Sequence, residues 1–116
     1  MSDITIFHNP ACGTSRNALA AIRDAGHAPT VVEYLKTGWT APQLKGLLAA
    51  MHARPRDILR VRGTPAEELG LTDPAATDEA ILAAMVAHPI LVERPIVVTP
   101  KATVLARPVE KLNGLI

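Results

Sequence analysis

Strand-like and helix-like spacings of apolar residues follow one another in the first part of the chain. Residues 4–7 form a β-branched and aromatic run that is typical of a strand, and Asn9-Pro10 ends it. Apolar residues then recur on one side of a predicted helix, at Ala18, Leu19, Ile22 and Ala25. A second strand is predicted over residues 29–35. Strand, helix and strand in this order predict a right-handed βαβ unit with parallel strands.

The middle of the chain shows only helical patterns. Thr40-Ala41-Pro42-Gln43 has the form of a capping box. A core-facing helix is then predicted from the spacing of Leu44, Leu47, Leu48 and Met51. Short helices are predicted at 54–60 and 64–70, and a longer one begins near 77–79 and ends at 88–89. Residues 40–88 are therefore predicted as a helical insertion.

Strand patterns return in the last part of the chain. Residues 90–92 and 96–98 are apolar β-type runs, and a third run, 103–107, follows a short turn. Their close spacing predicts an antiparallel hairpin. A short closing helix is expected near Pro108. The predicted fold class is α/β, with a mixed four-stranded sheet and the helical insertion in one domain over residues 1–116.

Composition excludes several classes of protein. A chain of 116 residues with 48% hydrophobic content can bury one modest core. A net charge of +1 gives no electrostatic footprint for nucleic acid, and no apolar run predicts a signal peptide or membrane span. One cysteine excludes an internal disulfide. It is typical of a reducing compartment, so we predict a cytoplasmic protein.

Cys12 stands where the first predicted strand hands over to the first helix. Unpaired backbone N–H groups and the positive end of the helix dipole favour a thiolate at this point. The same N–H groups can hold an oxyanion. A lone cysteine is also often a small buried hydrophobic residue. A strand–proline–cysteine–helix junction is a poor place to bury a thiol, which favours a nucleophile.

Histidine and serine residues near the cysteine allow two interpretations each. His8 lies four residues before Cys12, and a cationic ring at the sulfur would lower the thiol pKa, whereas a ring bonded to the backbone would be structural. Ser15 either donates a hydrogen bond to the thiolate or simply belongs to the first helical turn. Ligand spacing is missing among the remaining histidines, so no metal site is predicted from His27, His52 and His88.

Three arginines far apart in the sequence are further candidates. Taken singly, each of Arg60, Arg94 and Arg107 fits a solvated surface charge. Arg94 and Arg107 differ from the first in standing at predicted strand ends beside a proline. Such ends lie near the sheet edge, where ligands often bind.

Residues 8–17, HNPACGTSRN, resemble the active-site loop of the glutaredoxin-dependent arsenate reductases, a branch of the thioredoxin-like superfamily. Two later stretches fit the same family: Leu59-Arg60 ahead of EELGL at 67–71, and HPILVERPIVVT at 88–99. The resemblance runs over nearly the whole chain. It implies a thioredoxin-like fold, in which Pro95 matches the cis-proline that faces the active-site cysteine.

The resemblance also implies an activity, the reduction of arsenate to arsenite. The Cys12 thiolate would attack the arsenic, and the residues that match His8 and Ser15 lie near the cysteine in the family. Glutathione would act as co-substrate and glutaredoxin would resolve the adduct, with no bound cofactor. The implied partners are thus arsenate, glutathione and glutaredoxin. The family positions that bind the oxyanion are matched by Arg60, Arg94 and Arg107.

Two alternatives stay open at this point. A related branch contains redox-sensing transcriptional regulators that bind RNA polymerase and often carry a Cys-x-x-Cys pair. Ser15 occupies the second position here, which disfavours an intramolecular switch. The other alternative is an arsenate-reductase-like protein that binds glutathione or an oxyanion without reducing arsenate efficiently. Longer members of the family extend beyond the position of Ile116, which keeps that alternative open.

Overall fold

A computed structural model describes residues 3–116. The chain divides into two compact units. The first unit joins the residues up to Thr37 with Arg94–Ile116, and the second is the continuous segment Gly38–Glu93. The first unit is therefore assembled from two stretches that are distant in the sequence.

The first unit contains a four-stranded sheet of short strands. These strands are β1 (Thr5–Phe7), β2 (Thr30–Val32), β3 (Ile96–Val98) and β4 (Thr103–Leu105). They lie in the order β2-β1-β3-β4, with β1 parallel to β2 and antiparallel to β3, and β3 antiparallel to β4. The predicted mixed sheet of four strands, and the βαβ unit that begins it, are confirmed.

The core of the first unit forms between this sheet and helix α1 (Gly13–Asp24). Ile4 and Ile6 stand two positions apart at β1, so their side chains point to the same face. They pack in one cluster with Ala18 and Ile22, which stand four positions apart on α1. Apolar periodicity in the sequence thus records the contact between one sheet face and one helix face.

Strand register decides which loops meet at the end of the sheet. Phe7, the last residue of β1, pairs with Ile96, the first residue of β3. Ile96 also pairs with Leu105, the last residue of β4. The loop after β1, the residues before β3 and the residues after β4 are therefore brought to the same end of the sheet.

The second unit is helical, as predicted. It contains α3 (Ala41–Met51) and α4 (Asp78–Ala87), while the short helix α2 (Tyr34–Thr37) precedes it in the first unit. The predicted capping box of α3 is present. The Thr40 hydroxyl accepts from Gln43 N at 3.2 Å, and Gln43 Oε1 accepts from Thr40 N at 3.4 Å. These two bonds satisfy backbone groups that the helix itself leaves without a partner.

The prediction of a strand at residues 90–92 is wrong. Pro89–Leu91 is a 3₁₀ helix, and Val92 pairs with Leu59 in an isolated bridge. Leu91 and Val92 are both completely buried, so their apolar character reflects burial in the second unit rather than a sheet ladder. The antiparallel hairpin forms instead between β3 and β4.

Several other predicted elements are shorter than expected. The second strand covers only Thr30–Val32, because the chain turns into α2 directly afterwards. The helix expected at 54–60 is the 3₁₀ helix Pro55–Ile58, and residues 64–70 form turns. The closing helix is the 3₁₀ helix Val109–Leu112. Over residues 3–116, none of the helices has the length and apolar character needed to cross a membrane.

Candidate active site

Cys12 is the residue from which helix α1 starts. Its backbone is extended, with φ −94° and ψ 123°, and its carbonyl accepts the first helical hydrogen bond, from Arg16 N at 3.0 Å. Its own N–H donates to the Asn9 carbonyl at 3.0 Å. The thiol is half-buried. The sulfur therefore stands beside the first turn of the helix, where backbone N–H groups have no partner within the helix.

A buried set of polar side chains lies under this loop. His8, Asn9 and Ser15 are 5%, 3% and 0% exposed. The Ser15 hydroxyl lies 2.7 Å from His8 Nδ1 and accepts a hydrogen bond from Asn9 N at 3.0 Å. Both contacts tie the end of β1 to the first turn of α1. The hydroxyl of Ser15 is thus engaged by His8 and Asn9.

Two of the three candidate arginines lie at the cysteine. Arg107 Nη1 is 3.7 Å from Cys12 Sγ and donates to the Arg94 carbonyl at 2.9 Å. Arg94 is 8% exposed, and its Nε and Nη1 are buried without a hydrogen-bond partner among the described residues. Buried donors without partners are energetically costly. A guanidinium left in this state is suited to receive an anion.

The thiol of Cys12 is acidified by its neighbours. Burial raises its pKa. Hydrogen bonding to the Ser15 backbone N–H and to the Arg94 and Arg107 side chains lowers the pKa by more than burial raises it, to about 7. The positive charge of Arg94 acts in the same direction. About half of the molecules carry a thiolate at neutral pH, compared with ~3% for an ordinary thiol of pKa ~8.5. Cys12 is therefore a competent nucleophile at neutral pH.

The His8 ring is neutral at this pH. Burial lowers the pKa of His8 below 6.5, and the charges of Arg23 and Arg16 lower it too, against the opposing effect of Glu33. The cationic ring considered from the sequence is not the form present at pH 7, because burial disfavours the charge. His8 instead contacts the Ser15 hydroxyl, and Ser15 acts on the sulfur through its backbone N–H.

Pro95 opens strand β3 through a cis peptide bond to Arg94. Its carbonyl accepts from Ala106 N at 2.9 Å, which continues the pairing of β3 and β4 toward the arginines. A second cis bond joins Arg107 to Pro108. Both site arginines thus immediately precede a cis-proline. The second of these bonds was not predicted from the sequence.

Arg60 belongs to the second unit. Its Nη1 lies 2.9 Å from Glu93 Oε1, and the two side chains are only 17% and 24% exposed. Its backbone N–H donates to the Leu91 carbonyl at 2.7 Å. Within the first unit, the structure brings together the remaining candidates, His8, Cys12, Ser15, Arg94, Pro95 and Arg107.

Two residues were missed from the sequence: Asn9 beside Cys12 and, in the second unit, Glu93 beside Arg60. Asn9 Oδ1 accepts a hydrogen bond from Ala11 N at 2.9 Å, so its side chain closes a turn around Pro10. From the sequence, Asn9-Pro10 was expected only to end a strand. The available signal is the preference of asparagine for bonding a backbone N–H two residues later.

No metal-binding cluster occurs in the part of the chain that the structure describes. None of its histidine, cysteine and acidic residues form a group of three or more that could hold an ion. At the site itself, an acidified thiol lies beside two guanidinium groups.

Comparisons with known proteins identify the family. The ArsC family model matches residues 7–115. An arsenate reductase of Rhizobium meliloti is 55% identical over 107 residues, 92% of this chain and 76% of that protein. The arsenate reductase of Escherichia coli K12 is 52% identical over 110 residues, 95% and 78% of the two chains.

Solved structures agree with these sequence matches. An arsenate reductase from Vibrio cholerae superposes with a TM-score of 0.91 at 37% identity, covering 97% of each chain. This similarity confirms the thioredoxin-like fold predicted from the sequence. The chain therefore belongs to the ArsC family.

Proposed function

We propose that this protein reduces arsenate to arsenite with Cys12 as the nucleophile. The strongest support is the uncompensated positive charge at the thiol: Arg107 contacts the sulfur, and Arg94 keeps buried donors without partners. Relatives at 52–55% identity that are named arsenate reductases support the same activity. Arsenate is a tetrahedral oxyanion, and planar guanidinium groups bind such anions through paired N–H donors.

Substrate binding is assigned to the arginines. Arg94 and Arg107 would hold two arsenate oxygens and turn the arsenic toward the sulfur of Cys12. Arg60 is proposed as a third oxyanion ligand, because it matches the family position. His8 and Ser15 would hold the loop and keep the Ser15 N–H on the thiolate. Pro95 would shape a groove whose backbone pairs with an extended peptide such as glutathione.

The covalent step forms one bond between sulfur and arsenic. The Cys12 thiolate attacks arsenic(V), a sulfur–arsenic bond forms, and one arsenate oxygen leaves as water after protonation. Arsenic is then reduced to arsenic(III) by two electrons. Glutathione displaces a second arsenic-bound oxygen as water and binds arsenic through its sulfur. The glutaredoxin thiolate then attacks that sulfur, so the two thiol sulfurs end as a mixed disulfide and arsenic keeps the bonding electron pair. Water finally attacks arsenic(III) and breaks the sulfur–arsenic bond, so arsenite leaves and Cys12 returns as a thiolate.

The reductant must come from outside the chain. Cys12 is the single cysteine among 116 residues, and Ser15 has no sulfur with which to form a disulfide. We therefore propose glutathione and glutaredoxin as partners. A reducing compartment such as the cytoplasm supplies both thiols.

An arsenate-dependent assay tests the proposal. NADPH consumption is followed with glutathione, glutathione reductase and glutaredoxin, and each thiol component is omitted in turn. We expect turnover that needs arsenate, glutathione and Cys12, with a Cys12→Ser variant reduced to background. Mass spectrometry should show one adduct on Cys12 that contains arsenic and glutathione, and glutaredoxin should remove the glutathione from it. Sustained turnover by Cys12→Ser, or with thioredoxin and no glutathione, would contradict the proposal.

A further inference from the structure

Asn9 makes three hydrogen bonds to the loop that carries the nucleophile. Its side-chain Oδ1 accepts from Ala11 N at 2.9 Å, and its carbonyl accepts from Cys12 N at 3.0 Å. Its backbone N–H donates to the Ser15 hydroxyl at 3.0 Å. The residue is 3% exposed; its bond to Ser15 is buried and its side-chain bond to Ala11 is part-buried. One buried residue is therefore bonded to Ala11 and Cys12 in the loop and to Ser15 in the first turn of α1.

Few other hydrogen bonds fix the conformation of the loop. Regular hydrogen bonds end at His8, whose N–H donates to the Val32 carbonyl at 2.8 Å, and begin again at Arg16 N. Pro10 has no N–H to donate. From outside, Arg16 Nη1 donates to the Pro10 carbonyl at 2.9 Å, but this contact is exposed. The Oδ1 of Asn9 is thus the side-chain acceptor that closes the turn around Pro10.

We propose that Asn9 is a positioning residue for Cys12: its amide oxygen closes the turn that presents the sulfur to the Ser15 N–H and to Arg107. The inference deepens the proposed function, on which its meaning for catalysis rests. The effect of Asn9 on the thiol does not require a substrate. Asn9 does not touch the reacting atoms; it acts by holding the backbone on which the sulfur is carried.

A positioning role and a merely structural role predict different results. If Asn9 only stabilises the fold, its loss lowers the melting temperature and leaves the thiol of the folded fraction unchanged. If Asn9 positions Cys12, its loss moves the sulfur away from the Ser15 N–H and the guanidiniums that lower the pKa of Cys12. The pKa of the thiol then rises in a protein that is still folded.

The chain offers a matched control in its second unit. Asp73 Oδ1 accepts from Ala75 N at 2.8 Å, the same side-chain-to-backbone bond two residues ahead, in an exposed turn. Asp73→Ala removes that bond within the second unit. Asn9→Ala removes the bond under test, and Asn9→Ser keeps a shorter hydroxyl acceptor for the same N–H.

The readout is the rate of iodoacetamide alkylation against pH, measured without arsenate. We expect a midpoint near the Cys12 pKa of about 7 for the wild type and for Asp73→Ala. For Asn9→Ala we expect a rise of about one unit, which lowers the thiolate fraction at pH 7 about fivefold. Asn9→Ser should fall between them. Arsenate kcat/KM at pH 7 should decrease in parallel.

Two outcomes would overturn the inference. The first is a folded Asn9→Ala variant with the wild-type midpoint. The second needs no variant: we expect the Ala11 amide of the wild type to be protected from hydrogen exchange, and free exchange would contradict a fixed turn. If the wild type shows no arsenate turnover while the midpoints shift as expected, the proposed function fails and the positioning role stands.

Discussion

Two arginines of the second unit and the two arginines at Cys12 have different partners. In the second unit, Arg54 makes a two-point pair with Asp78 at 3.0 and 3.2 Å, and Arg60 is paired with Glu93. In the first unit, Arg107 donates to a carbonyl and a sulfur, and Arg94 keeps donors without partners. Neither has a carboxylate within ion-pair distance among residues 3–116.

The difference shows how one residue type serves two purposes. A carboxylate neutralises the guanidinium it binds, so a paired arginine mainly joins one element to another. Arg54, for example, connects the start of a 3₁₀ helix to the first turn of α4. An arginine without a carboxylate keeps its positive charge available. At Cys12 that charge stabilises a thiolate and leaves capacity for an oxyanion.

Among the variants that test this difference, removal of the Arg94 side chain should cause the largest loss of activity. Loss of one charge-assisted contact costs about 1.5–3 kcal/mol, so Arg94→Ala should lower kcat/KM for arsenate roughly 10- to 150-fold. Arg94→Lys should also be impaired, because an ammonium cannot reproduce the planar fork. Steady-state kinetics with Arg54→Ala as the paired-arginine control checks this. Equal losses of kcat/KM in Arg94→Ala and Arg54→Ala would contradict the distinction between paired and unpaired arginines.

Arg60 allows the two purposes to be separated. Arg60 is a proposed oxyanion ligand that is already paired with Glu93. Arg60→Ala should therefore lower kcat/KM for arsenate about tenfold. The groups that lower the pKa of Cys12 are Ser15, Arg94 and Arg107, so the alkylation midpoint of Arg60→Ala should stay at the wild-type value. A midpoint that rises as it does in Arg94→Ala would assign Arg60 to the thiolate instead.

The effect of Arg107 on the ionisation of the thiol should be smaller than these losses in kcat/KM. Its Nη1 contacts Cys12 Sγ, so Arg107→Gln should raise the thiol pKa from about 7. A rise of about one unit would reduce the thiolate fraction at pH 7 about fivefold. Alkylation rates from pH 5.5 to 9.5 measure this. Iodoacetamide alkylation of Cys12 with a wild-type midpoint above 8 would contradict the acidified thiol altogether.

The smallest expected effect is that of His8 on the pH dependence of stability, because its burial disfavours a positive charge on the ring. Burial lowers the pKa of His8 below 6.5 in the folded protein, so the unfolded chain binds a proton more readily. Its contribution to stability is complete above pH 6.5 and is lost as the pH falls through the folded-state pKa. Urea unfolding at pH 7 and pH 5 should show a larger loss for the wild type than for His8→Gln.

Equal losses in those two proteins would mean that His8 does not contribute to the acid sensitivity. The comparison uses the difference between wild type and variant, because carboxylates also titrate in this range. Neither protein requires arsenate or glutathione for the measurement, so the result is independent of the proposed activity.

Local patterns were sufficient to predict the elements that local chemistry determines. The Thr40 capping box and the start of α1 at Cys12 depend on neighbouring residues, and both were predicted correctly. Residues 90–92 were predicted wrongly, because an apolar run is compatible with a strand and with a buried 3₁₀ turn. What decides between them is burial in the second unit, which local sequence does not express.

Site residues divide in the same way. The position of Cys12 follows from its local sequence, whereas its contact with Arg107 depends on the pairing of β1 with β3 and of β3 with β4. Only the family resemblance suggested that Arg94 and Arg107 meet the cysteine. The Asn9 turn was within reach of local reasoning, because asparagine bonding two residues ahead is a common turn.

The place of β3 in the sheet has a consequence for synthesis on the ribosome. The cysteine loop emerges early, but β3, one of the two strands beside β1, follows only after the whole second unit has been translated. At roughly 5–20 residues per second, about 4–16 s pass between the synthesis of Cys12 and that of Arg94. A nascent chain therefore carries a thiol without its guanidiniums. Because the thiolate is the form that oxidants and electrophiles attack, the cysteine reaches its full reactivity only after Arg94 and Arg107 have been synthesised.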